Sequence, residues 1–177
     1  MLNVHGLIIL ICIMSVLGSA NSYGHPQGEG RVSMQGSIIE TPCAIDTQSR
    51  DQSIDMGTTP VGVIARDGQG AARPFSIQLI NCSLPRGMQL PDWQSFQITF
   101  DGERRGGFFG VHGSAQGVAL ELVDANGNIA HPGEPLPTGA LADGDLRLNY
   151  SLRLVGDRDV LQAGQFTSTL RFRMDYY

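Results

Sequence analysis

The sequence predicts an all-β protein, a sandwich of short strands, and three observations carry that prediction. Leu146, Leu148, Tyr150, Leu152 and Leu154 alternate with Arg147, Asn149, Ser151 and Arg153. A helix would scatter this period of two around its circumference. Shorter runs repeat the alternation, with turn residues between them. Beyond the N-terminal apolar run, no stretch holds a 3.6-residue period.

Composition bounds the function before any motif does. The 177 residues carry 12 basic and 17 acidic side chains, a net charge of -5. No basic excess exists to release counterions from a phosphate backbone, so no nucleic-acid partner is expected. All twelve basic residues are arginine; we have no physical account of that bias. With 41% hydrophobic residues, the chain has material for one core and one domain.

The N-terminus reads as a leader. Leu7 to Leu17 is an apolar run of eleven residues with one serine, Ser15, inside it, followed by Gly18, Ser19 and Ala20. That length with a small-residue exit predicts a secretory signal peptide over 1–20, cleaved after Ala20 or, as second choice, after Gly24. It is short for a membrane span. Export then places Cys43 and Cys82 in an oxidising space, where an isolated pair forms a disulfide. The bond would close a loop of about 40 residues and stabilise the fold by about 4 kcal/mol in the chain-entropy model. A metal site is not expected, because His25, His112 and His131 show no ligand spacing.

Residues 25–36 are polar and glycine-rich, yet Val32, Met34 and Ile38 share one parity. Pattern alone leaves two readings open: a frayed tail, or a strand with one apolar face kept for pairing elsewhere. After it, strands are expected around Phe75–Leu79, Phe96–Phe100, Val118–Leu122 and Leu146–Leu154. A final segment sets Phe166, Leu170, Phe172, Met174 and Tyr176 on one face, with Thr167, Thr169, Arg171, Arg173 and Asp175 on the other. Asp124–Asn128 contains an Asn-Gly pair and predicts a hairpin. Residues 102–110 and 131–139 read as loops by their Gly and Pro content.

Catalytic chemistry finds little support. There is no Gly-x-Ser-x-Gly elbow, no His-Glu-x-x-His and no phosphate loop. Asp124-x-Asn126-x-Asn128 begins like a calcium loop but continues with Ile129 and Pro135 where glycine and glutamate belong. No enzyme activity and no cofactor are expected. Trp93 lies in an expected loop, and one tryptophan is thin support for sugar binding.

Five stretches, taken in order, resemble the pilin subunits of chaperone–usher fimbriae, the type 1 and P pilus family. They are Gly36–Cys43, with glycine seven residues before the first cysteine; Phe75-x-Ile77-x-Leu79-x-Asn81-Cys82; Gly117–Leu122 leading into Asp124–Gly127; Leu148–Leu154; and a C-terminal pattern of Gly164, alternating apolar residues and a penultimate Tyr176. The likeness spans roughly residues 30–177, and Leu84–Ser114 adds little to it.

The resemblance implies an incomplete immunoglobulin-like β-sandwich that lacks its seventh strand and is completed by donor-strand complementation. It divides the chain into a signal peptide (1–20), a donor-strand extension (21–37) and a pilin domain (38–177). Gly30, Val32, Met34, Gly36 and Ile38 would be the inward-facing donor positions. Gly36 matches the family glycine that passes a shallow point, and Gly30 stands where relatives often carry something bulkier. Gly164, Phe166, Leu170, Phe172, Met174 and Tyr176 would form the last strand bordering the groove and facing the chaperone. The implied partners are a periplasmic pilus chaperone, an outer-membrane usher and neighbouring fimbrial subunits. The implied location is an extracellular fimbrium on the bacterial surface, reached through the periplasm. The expected role is a minor or adaptor structural subunit. The alternatives are a terminating subunit with part of its groove blocked, and a tip adhesin binding host carbohydrate. The adhesin is disfavoured by the chain's length and by the presence of an extension.

Overall fold

Period-two alternation produces strands where it is longest. β2 (Arg73–Cys82), β3 (Ser95–Asp101), β7 (Val118–Asp124) and β10 (Gly144–Gly156) are the four long ones. A computed structural model describes residues 30–36, 40–87 and 89–177. The expected signal peptide, residues 21–29 of the expected extension and Ile38 lie outside the described residues. The chain divides into two units, Met1–Ile38 and Ile39–Tyr177; the fold belongs to the second.

Two sheets enclose the core. The larger has the order β1 (Ala44–Ile45), β2, β10, β7, β5 (Phe108–Phe109), β4 (Arg104–Arg105), with β8 (Ile129–Ala130) also paired to β7. The smaller has the order β12 (Arg171–Tyr176), β3, β9 (Gly139–Ala140). A two-stranded ribbon, β6 (His112–Gly113) with β11 (Phe166–Thr167), lies apart from both. All the strand pairs are antiparallel.

Parity decides what the sheets bury. Ile77, Leu79, Leu120, Leu122, Leu152 and Leu154 of the large sheet and Phe96, Ile98 and Phe100 of the small one are all buried. Tyr150 joins the two layers: its ring stacks on Phe75 at 5.4 Å and meets Phe100 edge-on at 5.1 Å. Burial, with Asp124 nearby, pushes the Tyr150 phenol well above its usual pKa. Strand β7 departs from simple alternation. Ala119, Glu121 and Val123 on its other parity are buried too, and Glu121 is ion-paired with Arg153 across the β7–β10 ladder.

The Asn-Gly hairpin forms as expected. Gly127 takes φ +86°, and the Asp124 carboxylate accepts N–H bonds from Asn126 and Asn128, both at 2.8 Å. The left-handed glycine closes a short loop whose twist suits the flanking strands.

Three features differ from the sequence expectation. Two short helices occur, α1 (Thr47–Arg50) and α2 (Val61–Asp67). Neither is long enough to display a 3.6 period; their boundaries are the readable signal. Asp46 caps Gln48 in α1, while Pro60 precedes α2 and left-handed Gly68 ends it. Residues 102–110 and 131–139, expected as loops, contain the β4–β5 hairpin and Gly139 of β9. Finally, the Phe166–Tyr176 segment is not one strand. It splits into β11, which pairs β6, and β12, which pairs β3. Between them the Ser168 hydroxyl donates to the Gly110 carbonyl at 2.7 Å, so the chain steps from the ribbon to the small sheet. A side-chain parity that holds across such a step looks continuous in sequence.

Candidate functional site: an open apolar groove

β12 is the strand on which the site turns. One of its ladders is full: Phe172 pairs with Phe100, Met174 with Ile98 and Tyr176 with Phe96. Among the described residues, no strand pairs its other side. Phe172, Met174 and Tyr176 share the core-facing parity, yet all three remain only half-buried. Their partners on β3 are below 8% exposed. Leu170, just before β12, is half-buried in the same way.

The missing cover is a groove of about 1330 Å³. One wall is the segment 49–61 with α1 and the start of α2; the other runs from Leu161 to Phe172. Its floor is the sandwich core itself, with Ile77, Phe100, Leu120 and Leu152 reaching its surface. An edge strand beside exposed core, long enough for several ladder bonds, is a template for pairing with another chain.

The expected groove-edge residues divide into three environments. Phe172, Met174 and Tyr176 lie on β12, and Leu170 lies in the step before it. Phe166 is in β11, opposite Gly113. Gly164 lies outside any strand, in a crossing with Ser114–Ala115. There Ser114 and Ala115 donate their N–H groups to Gln165 O, and Gln116 and Gln162 exchange two backbone bonds. A Cβ at Gly164 would stand 2.4 Å from Ala115 N and from Ser114 C. Only glycine allows the two backbones to approach so closely.

Of the expected donor positions, Gly30, Val32, Met34 and Gly36 lie in a described stretch without regular structure. Val32 is 87% exposed and Met34 93%. Gly36 and Gly30 have no heavy atom within 4 Å of where a Cβ would be. Nothing in the described chain therefore demands glycine at either place.

The site's supports are partly legible. Cys43 and Cys82 are bonded, with Cα atoms 4.1 Å apart, tying the entry of β1 to the end of β2. The far groove wall at 49–61 gave no signal as a site, although Ile54 and Met56 stand two apart in an otherwise polar stretch and pack on the core. Trp93 is half-buried: the Arg86 guanidinium lies 3.7 Å from its ring centroid, and Tyr176 meets it at 6.2 Å. Of the histidines, His112 contacts Glu103 at 2.9 Å and His131 Nδ1 lies 2.6 Å from Gly107 O. Among the described residues, no three His, Cys, Asp or Glu side chains gather as metal ligands.

With this geometry established, the comparisons with known proteins agree with one another. The profile of the fimbrial protein family matches residues 32–177. The PRS fimbrial minor pilin protein of Escherichia coli is 35% identical over 155 residues, covering 86% of this chain and 80% of that one. The major MR/P fimbria protein of Proteus mirabilis is 30% identical over 180 residues, covering 99% and 98%. Among solved structures, a subunit of a chaperone–usher pilus superposes with a TM-score of 0.68 at 24% identity, covering 87% of this chain and 99% of that one. The P pilus rod subunit PapA gives 0.65 at 22% identity, covering 77% and 100%. The shared fold is the immunoglobulin-like sandwich short of one strand.

Proposed function

The chain belongs to the fimbrial protein family, and from that premise we propose that it is a minor, adaptor-type subunit that joins its neighbours by donor-strand exchange. It is a structural subunit of a chaperone–usher fimbria, exposed on the bacterial surface. In the proposed reading, residues 1–20 are removed on export and residues 21–37 form the donor extension. Residues 38–177 form the accepting domain. A periplasmic chaperone holds the groove until an outer-membrane usher brings in the next extension.

One observation carries the reading: a strand edge beside exposed core occurs in the same chain as an exposed, alternating apolar segment. Val32, Met34 and Ile38 would enter another subunit's groove, each contributing about 1.5–3 kcal/mol on burial. Each ladder bond to a β12 edge would add about 0.5–1.5 kcal/mol. Gly36, unconstrained in the isolated chain, acquires a reason there: the donor backbone must pass close to the groove floor. Trp93, covered by Arg86 on one face, is not offered to a sugar, which favours a subunit over a tip adhesin.

A second reading, a terminating subunit, is favoured by α2. Ile64 is 4% exposed, lines the groove and lies within van der Waals reach of a Cβ built at Gly70 or Gly156. An apolar side chain of the domain's own thus occupies part of the groove beside β10. Two measurements separate the readings. Gly36→Arg should leave the domain folded and abolish incorporation into fibres; undiminished incorporation would remove the donor assignment. Peptides copying the extensions of sister subunits should raise the melting temperature of an adaptor. If none does so while incorporation still depends on Gly36, the chain is the terminator.

A further inference from the structure

The loop between β2 and β3 joins the two ends of the domain that matter for assembly. Glu40 opens the described part of the second unit, two residues after the proposed donor strand. Its carboxylate lies 3.6 Å from Arg86 Nη2. Arg86 is held from several sides. Its guanidinium stacks on Trp93 at 3.7 Å, its backbone N–H donates to Asp92 Oδ1 at 3.3 Å, and only 23% of its side chain is exposed. Trp93 in turn is fixed by its N–H bond to Leu84 O at 2.9 Å and meets Tyr176 of β12. Two residues beyond Glu40, Pro42 O accepts from Ser83 N at 2.8 Å, next to the Cys43–Cys82 bond.

We infer that Arg86 is a positioning residue for donation: stacked on Trp93, it captures Glu40 and sets the direction in which the extension leaves the domain. The inference rests on the donor-strand reading above. Its physical content is an entropy argument. A donor must enter a groove in one register, and every freely rotating residue at its root lowers the fraction of time it points correctly. Arg86 suits the task because stacking removes most of its own freedom before it binds the carboxylate. Its Nε is buried and finds no partner among the described residues. Trp93 thus fixes the plane of the guanidinium, and its Nη2 edge is the side that faces Glu40. Glu40 itself is more than half exposed, so the pair orients without adding much stability.

The test separates giving from receiving. Full-length mature chain, released from its chaperone complex, is mixed with a chaperone-held sister subunit, and the rate of donor insertion is measured. Arg86→Gln and Glu40→Gln should each slow insertion by about three- to five-fold, the upper range for a partly exposed ion pair. The double variant should be no slower than either single one. The swap Arg86→Glu with Glu40→Arg should recover part of the rate. In each variant, the melting-temperature shift produced by a peptide filling its own groove, or the absence of any, should stay as in the parent. Equal insertion rates in all variants, while Gly36→Arg still abolishes insertion, would overturn the role of Arg86 and leave the donor reading standing. Normal insertion by Gly36→Arg would overturn both. Loss of the acceptor response together with insertion would show Arg86 to be a general structural residue and refute the positioning role.

Discussion

A Cβ added at Gly164 would collide with the backbone of Ser114 and Ala115 at 2.4 Å, and backbone cannot rotate away as a side chain can. Gly164→Ala should therefore push the 162–167 segment off residues 113–116 and loosen one wall of the groove. The expected result is a loss of about 1–3 kcal/mol by denaturant melts, with hydrogen exchange fastest at Gln116 and Gln162. A drop below a few tenths would mean the crossing can relax. At the same scale, Asp157 clasps the β4–β5 hairpin. Its side chain is 5% exposed, and Arg105 Nε donates to it at 2.7 Å. Burial raises its pKa, but hydrogen bonds from Asp159 N–H and Arg105 outweigh that and hold the carboxyl below its ordinary 3.8. The clasp's contribution is thus present above that value and is lost as pH falls through the lower, folded one. Asp157→Asn should melt below the parent at neutral pH and converge with it in strong acid. A gap that persists unchanged at low pH would show the charge to be irrelevant.

At the scale of elements, two ties hold the open sandwich together. One is the β2–β10–β7 ladder, with its buried Leu and Ile faces. The other is the disulfide between residues 39 apart in sequence. Reducing Cys43–Cys82 should lower stability by about 4 kcal/mol if restriction of the unfolded chain dominates. Equilibrium melts of oxidised and reduced protein would measure it; a difference under about 1 kcal/mol would mean that the reduced chain keeps the β1–β2 pairing without help. The elements also differ in how much sequence announces them. β10 alternates over many residues and is readable by inspection. α1 and α2 are short, and only their flanking Asp46, Pro60 and Gly68 mark them. The step between β11 and β12 is silent, because Ser168–Leu170 keep the parity while the hydrogen-bonding partner changes from β6 to β3.

At the scale of the whole molecule, the groove sets behaviour in solution. Leu170 and Phe172 remain half-exposed in the lining of a cavity of about 1330 Å³, Met174 and Tyr176 are half-exposed farther along β12, and the ladder side of β12 away from β3 is unpaired among the described residues. Free mature chain should aggregate or refold poorly, and a groove-filling peptide should suppress this in proportion to its occupancy. Analytical ultracentrifugation with and without peptide reads the outcome. A lone chain that stays monomeric at high concentration, with no strand supplied, would contradict an open edge.

Sequence by itself determined the strand content, the cysteine pair and the alternating segments at both ends of the chain, because each is written in local spacing and residue type. The resemblance built on those spacings extended to the family. What only tertiary structure decided is the far wall of the groove at 49–61, the ribbon that Gly164 permits, the burial of Ile64 in the groove lining and the meeting of Glu40, Arg86, Trp93 and Tyr176. These depend on which backbones cross and which side chains stack across long separations. No periodicity in a single strand encodes that.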